Sequence, residues 1–224
     1  MPEDEASNGR SERRRGRPRL RDAPDPREVE RHALRFFAAK GFEGASIRDI
    51  AFSSGVDPAL VSRRFGSKLE LWKATVDGIA QQLGHAYENA MEKAPGTPAY
   101  EDRLQAMMRS FIALNCALPE LGRFFIDEIA LPGERRDYIL ERIWRPFHNS
   151  LQPLLEEGAR RGVLRIADTD FGALALLGIV VMPQLLAPIL QQEMEHPQGE
   201  AFDRIMASVT AFLGIEGRTD ALGQ

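Results

Sequence analysis

Cysteine is almost missing from this sequence: Cys116 stands alone. One thiol closes no internal disulfide and builds no cysteine-rich metal site, which excludes a secreted disulfide framework and fits a reducing cytosol. Histidine is scarce as well. His32, His85, His148 and His196 are scattered without metal-ligand spacing, so no metal is expected. Catalytic signatures are also lacking: there is no Walker motif, no GxSxG and no dinucleotide-binding GxGxxG. Asp127 and Glu128 are adjacent acids, but neighbours on a helix point in different directions and form no acid–base pair. Neither catalysis nor a cofactor is expected.

An apolar leader is absent from MPEDEASNGRSERRRGRPRLRD, so no signal peptide is expected there. The one long apolar run, Phe171 to Leu190, is interrupted only by Gln184 and has the length of a spanning helix of about 20 residues. Its composition argues otherwise. Pro183 and Pro188 lie inside it, Gly172 and Gly178 lower its helical tendency, and Asp168 and Asp170 lead into it with no Lys or Arg anchor. The expectation is a helix buried in the core and in a subunit contact, no membrane span, and a cytoplasmic location.

What is present is a globular composition. Hydrophobic residues make up 43% and charged residues 28% of 224 positions, which excludes a mainly disordered, collagen-like or fibrous chain. The net charge of -4 conceals a division. From Arg10 to Glu70 there are 15 Lys or Arg against nine Asp or Glu, whereas Leu71 to Gln224 carries 14 against 21. The basic end suits a polyanion, and the acidic remainder limits nonspecific sticking.

Periodicity and punctuation divide the chain into helices, with no stretch reading as a strand. Residues 1–24, polar and rich in Arg, Glu, Pro and Gly, read as a disordered basic arm. Asp25-Pro26 then supplies an N-cap and a proline at the first helical position, and Val29, Ala33, Phe36 and Phe37 share a face until Gly41. Ser46 with Asp49 caps a short second helix that ends at Gly55. Asp57-Pro58 starts a third, about Pro58 to Phe65, closed by Gly66, and Ser67 with Glu70 opens a long fourth. Five further helical stretches are expected, roughly 98–116, 119–130, 134–161, 168–193 and 198–214. Their breaks fall at Pro95-Gly96, Leu118-Pro119, Pro132-Gly133, Gly162 and His196-Pro197. The predicted fold is all-α, with a three-helix domain over 25–70 and a larger helical domain over 71–224.

The second and third helices are joined by about three residues around Gly55-Val56-Asp57, the spacing of a helix-turn-helix, whose second member enters the DNA major groove. Val56, Val61 and Phe65 would pack toward Ile47, Ile50, Ala51 and Phe37. That leaves Pro58, Ala59, Leu60, Ser62, Arg63 and Arg64 outward. The arginines suit phosphates or guanine O6 and N7, and Ala59 or Leu60 suits a thymine methyl. Lys68 lies in the first turn of helix four, where the dipole disfavours a cation, and a phosphate partner would explain it. A solvated basic face on a small bundle is the plainer reading.

The run GFEGASIRDIAFSSGVDPALVSRRFGSKLELW resembles the TetR family of bacterial transcriptional regulators. Gly41, Ser46, Ile50-Ala51, Gly55-Val56, Phe65, Ser67-Lys68 and Leu71 carry the likeness in combination, over residues 27–75. Farther on, GVLRIADTD resembles the family's lead into its eighth helix. The resemblance implies DNA contacts from Ser46, Arg48, Pro58, Ala59, Leu60, Ser62, Arg63, Arg64 and Lys68. Two positions depart from the family: Ser62 stands where a phosphate-contacting Tyr is usual, and Arg64 where His is frequent. A hydroxyl still donates to phosphate and an arginine adds a full charge. In the arm, RRRGRPRLR contains the Arg-Gly-Arg-Pro core of an AT-hook, which places Arg15 and Arg17 in a narrow A·T minor groove. A merely solubilising tail is the alternative.

The middle helices carry Met107, Met108, Phe111, Phe124, Phe125, Tyr138, Trp144, Phe147 and Met182, with Asn115, Cys116 and His148 among them. Such a set is usually core. The resemblance implies that it also holds an apolar effector between helices, with Met107, Phe111, Asn115, Phe125, Trp144 and His148 as candidates. The 168–193 helix is apolar nearly all round, and Phe202, Ile205, Met206, Val209 and Phe212 form a stripe on its successor. A two-fold four-helix contact through Val180, Phe202, Met206 and Val209 is therefore expected. Taken together, these features predict a homodimeric repressor that binds a palindromic double-stranded DNA operator and is released by a small-molecule effector. The alternative is a helical scaffold or membrane-associated binding protein whose basic arm meets acidic partners.

Overall fold

The computed structural model describes residues 25–92, 99–187 and 201–214. The arm with Arg15 and Arg17, the breaks at Pro95-Gly96 and His196-Pro197, Pro188, and the expected junction between the last two helices lie outside the described residues.

The first helices begin where the sequence offers an acceptor to an orphan amide. Asp25 Oδ1 accepts from Arg27 N at 3.0 Å ahead of α1 (Pro26–Gly44). Ser46 Oγ accepts from Asp49 N at 3.1 Å ahead of α2 (Ile47–Ser53), and Asp57 Oδ1 from Ala59 N at 2.8 Å ahead of α3 (Pro58–Phe65). Ser67 Oγ serves Glu70 N at 3.1 Å at the start of α4 (Lys68–Glu92). Within α1 the helical path breaks at Gly41, whose φ of 69° is left-handed; residues 42–44 coil on beyond it.

Val29, Ala33, Leu34 and Phe37 of α1, Ile50 and Ala51 of α2, and Val61 of α3 close on Leu71, Trp72 and Val76 of α4. Each large side chain buried there contributes about 1.5–3 kcal/mol, and together they hold α3 at a fixed angle. α4 is the long helix expected, and it runs across the position, after residue 70, where the sequence suggests a domain boundary. It continues as one helix and brings Ile79 and Leu83 under the larger domain, so the two domains share it.

The larger domain comprises α5 (Tyr100–Ala117), α6 (Leu121–Ile129), α7 (Glu134–Ile139), a π turn (Leu140–Trp144), α8 (Arg145–Arg160), α9 (Thr169–Leu185) and α10 (Ala201–Leu213). α7, the π turn and α8 make up the single 134–161 stretch expected from the sequence. Pro146 has no amide to donate, and the turn before it is widened, with Arg145 N donating to Leu140 O. α8 and α10 each pack on α5 and α9, while α6 packs on α1 at one side and α9 at the other. Among the described residues no strand occurs, and no helix is long and apolar enough to cross a membrane.

Of the four residues expected in a subunit contact, two are covered within the protomer. Val180 and Val209 are 0% and 1% exposed, inside one protomer, and Phe202 and Met206 are half-buried against the same core. Outward lie Phe171, Leu174 and Met182 of α9, Leu186 just beyond it, and Phe212 of α10. A helix that is apolar all round gives no periodicity to say which side its own subunit covers.

Candidate nucleic-acid interface and effector cavity

The α2–α3 turn depends on Gly55, whose φ of 69° costs a residue with a Cβ strain, and it is closed by Val56 N donating to Ala51 O at 2.9 Å. On α3, Ala59, Ser62, Arg63 and Arg64 are exposed and Pro58 is half-buried. Positions 59, 62 and 63 share one face. Arg48 of α2 is exposed too, its guanidinium 5.4 Å from the centre of the Phe52 ring. Among the described residues, none of Arg48, Arg63 and Arg64 is in an ion pair. Three guanidinium groups outside any ion pair at one end of a protein suit a polyphosphate, although the Glu30 carboxyl feels the charge of Arg64.

Three residues expected at the DNA have partners within the protein. Leu60 is half-buried and lines an open groove with Val29, Val61 and Phe65. Four residues from Arg64, it belongs to the flank of α3 that faces α1, which leaves Ala59 as the apolar member of the exposed face. Lys68 is engaged within the protein. Its Nζ donates to the carbonyl oxygens of Phe42 at 2.8 Å, Ala45 at 3.2 Å and Glu43 at 3.3 Å, and lies 4.5 Å from the centre of the Phe42 ring. The cation that the α4 dipole disfavours is held by the carbonyl end of α1, the favourable pole of another helix. Ser46, likewise, spends its hydroxyl on the α2 cap.

Lys68→Met should therefore lower stability by about 2 kcal/mol, the scale of lost hydrogen bonds to a charged group, and reduce the melting temperature by several degrees. Unchanged melting, with a shallower salt dependence of DNA binding, would restore the phosphate role instead.

Beneath this end of the molecule runs a buried polar link that the sequence did not reveal. Trp72 Nε1 donates to Glu128 Oε1 at 3.2 Å, and Arg135 Nε donates to Glu128 Oε2 at 2.7 Å. The Arg135 guanidinium in turn lies 4.2 Å from the centre of the Phe42 ring. One turn earlier on α6, Phe124 packs against Phe37 and Trp72 with ring centres 6.4 and 5.9 Å away. Asp127 and Glu128 do diverge as expected, Asp127 outward to Arg123 at 3.4 Å and Glu128 inward. The available signal was spacing: Glu128 is four residues after Phe124, on the buried side of α6. A second link joins α4 to α7 and the π turn, where Asp77 accepts from Tyr138 Oη of α7 at 3.0 Å and from Arg142 Nε of the π turn at 2.7 Å. Burial first, then Asp77, pushes the Tyr138 hydroxyl above its ordinary pKa.

At the far side of α6, Phe111, Asn115, Phe125 and Trp144 meet Ile79, Leu83, Gly122, Ile143, Leu177 and Val181 around a cavity of about 40 Å³. Four of the six expected pocket residues are thus together. Met107 is buried elsewhere in the core, and His148 lies outside the lining, its ring tilted against Trp144 with centres 5.4 Å apart and its Nε2 4.0 Å from Asp170. Asn115, 2% exposed, is the one polar side chain of the lining, and its Nδ2 donates to Phe111 O at 2.9 Å. Drug-sized ligands occupy about 300–1,000 Å³, so these walls must part before such a molecule enters. α6 and α9 approach closely here. A Cβ at Gly122 would lie 2.6 Å from Val181 Cγ1.

A capped helix-turn-helix with an arginine-bearing outer face is thus set on a larger helical domain that holds an apolar cavity. Residues 31–75 match the bacterial regulatory proteins of the tetR family, and residues 97–185 match the tetracyclin repressor-like C-terminal domain. The chain belongs to the TetR family of bacterial transcriptional regulators. It is similar to the HTH-type transcriptional regulatory protein RaaS of Mycobacterium tuberculosis, with 26% identity over 137 residues. That match covers 61% of this chain and 58% of RaaS, so the chain spans a little over half the length of this relative. Among solved structures, the TetR family transcriptional regulator PfmR from Thermus thermophilus aligns over 85% of this chain and 99% of its own, at 22% identity and a TM-score of 0.61. HlyIIR, a hemolysin II transcriptional regulator, aligns over 83% and 96%, at 21% identity and a TM-score of 0.55. These two likenesses concern the fold.

Proposed function

We propose that this protein is a homodimeric repressor that holds a palindromic DNA operator through α2 and α3 and leaves it when a small apolar effector enters the cavity. The observation that carries the reading is the Ala59, Ser62 and Arg63 face, rigidly presented, solvent-exposed and unneutralised. Arg15 and Arg17 extend the contact into the adjacent minor groove, and action on the chromosome places the protein in the cytoplasm. The outward apolar side of α9 supports a second copy as its cover. The absence of any charged side chain from the cavity lining favours an uncharged effector oriented by Asn115.

Arg63→Ala should weaken operator binding by about 10- to 100-fold, the range of a lost base or phosphate contact, and leave the helical circular dichroism unchanged. Anisotropy titrations in which Arg63→Ala, Arg64→Ala and the parent coincide would overturn the assignment of α3.

A further inference from the structure

Between α3 and the start of α1 lies an open groove of about 220 Å³, lined by Val29, Val56, Leu60, Val61 and Phe65, with Arg63 and Arg64 also at its walls. Of the exposed α3 face, Arg63 borders it, whereas Ala59 and Ser62 do not. The chain enters α1 beside this groove: Asp25 is the N-cap, which puts Val29 at the fourth helical position, where a residue preceding the cap packs in a hydrophobic staple.

The preceding segment has its own pattern. Positions 13, 15, 17, 19 and 21 are all arginine, whereas 16, 18, 20 and 22 are Gly, Pro, Leu and Asp. In an extended strand alternate side chains point to opposite sides, so such a strand has one edge of guanidinium groups and another bearing Pro18, Leu20 and Asp22. Between Met1 and Asp25, Leu20 is the single bulky aliphatic residue. It precedes Asp25 by five residues. Such a length reaches about 17 Å when extended, and one helical turn separates Asp25 from Val29.

We propose that residues 18–22 of this chain dock in the groove as an extended segment, with Leu20 on Val29, Leu60 and Val61 and Asp22 beside Arg64. Arg64 is in no ion pair among the described residues, and Asp22 would join Glu30, whose carboxyl already feels the Arg64 charge, as an acidic neighbour. Docking turns the arginine edge away from the protein and toward the duplex that α3 holds. It also reduces the ordering cost of placing Arg15 and Arg17 in a minor groove. That consequence rests on the DNA-binding reading, whereas the docking needs no DNA.

Methyl NMR of the full chain without DNA tests the docking. The expected result is a set of nuclear Overhauser contacts from the Leu20 methyls to those of Val29, Leu60 and Val61, lost in Leu20→Ser while the remaining methyl spectrum is kept. Leu20 methyls without these contacts overturn the proposal, as do contacts that vanish on dilution and so come from another copy. In operator titrations Leu20→Ser should lower affinity for A·T-flanked sites about fivefold, with Leu20→Met restoring it. Equal affinity of Leu20→Ser and parent removes the positioning role. A parent that binds no operator defeats the DNA reading alone, since the methyl contacts still decide the docking.

Discussion

Replacing Leu174 and Gly178 together by glutamate should convert the protein to a monomer and lower operator affinity by on the order of 100-fold or more, the scale on which linked half-sites reinforce one another. Leu174 is 53% exposed, and a Cβ at Gly178 would meet nothing within 4 Å, so neither change disturbs the protomer's own core. Glycine to glutamate also raises helical propensity, which favours folding. What the pair does is put two charges into an outward strip that continues through Met182. Val180→Glu or Val209→Arg is a poor test by comparison. Both side chains are buried within one protomer, and a charge there unfolds it. Sedimentation showing an unchanged dimer with unchanged operator affinity would remove this side of α9 from the contact.

Gly122→Val should lower operator affinity about 10-fold with no effector present, within the usual range of allosteric coupling. Even the first added carbon would stand 2.6 Å from Val181 Cγ1, and a branched side chain on a packed helix has little room to yield. α6 must therefore move off α9, as it must when a molecule enlarges the cavity between them. The same helix carries Phe124 against Phe37 and Glu128 against Trp72, so its displacement strains the base of the reading domain. Adding Val181→Ala makes room and should return most of the affinity, a recovery that general destabilisation would not give. If Gly122→Val binds operator as the parent does while its melting temperature falls, the cavity and the reading domain are not coupled through α6.

How far the sequence speaks depends on whether a residue's task is local. Caps and turns are local chemistry, and Asp25, Ser46, Asp57, Gly41, Gly55 and Gly66 stand where their types require. The exposed face of α3 follows from period alone, except that Leu60 turns to the α1 flank. Lys68 escapes such reasoning because its partners are carbonyls more than 20 residues away, and Glu128 escapes it because Trp72 lies 56 residues before it. Four cavity residues are legible by their aromatic or amide character. Gly122, Leu177 and Val181 are not, since nothing in an apolar helix marks which side meets a void. A glycine between Leu121 and Phe124 is the one hint, marking a close helix approach.

Selection of genomic fragments on the full-length protein, followed by sequencing, tests the central claim most directly. The account predicts recovery of a small set of fragments sharing a two-fold symmetric sequence, with enrichment lost when Arg63 and Arg64 are both replaced by alanine. Recovery of fragments without a shared sequence, or of the same set by the doubly substituted protein, would contradict it.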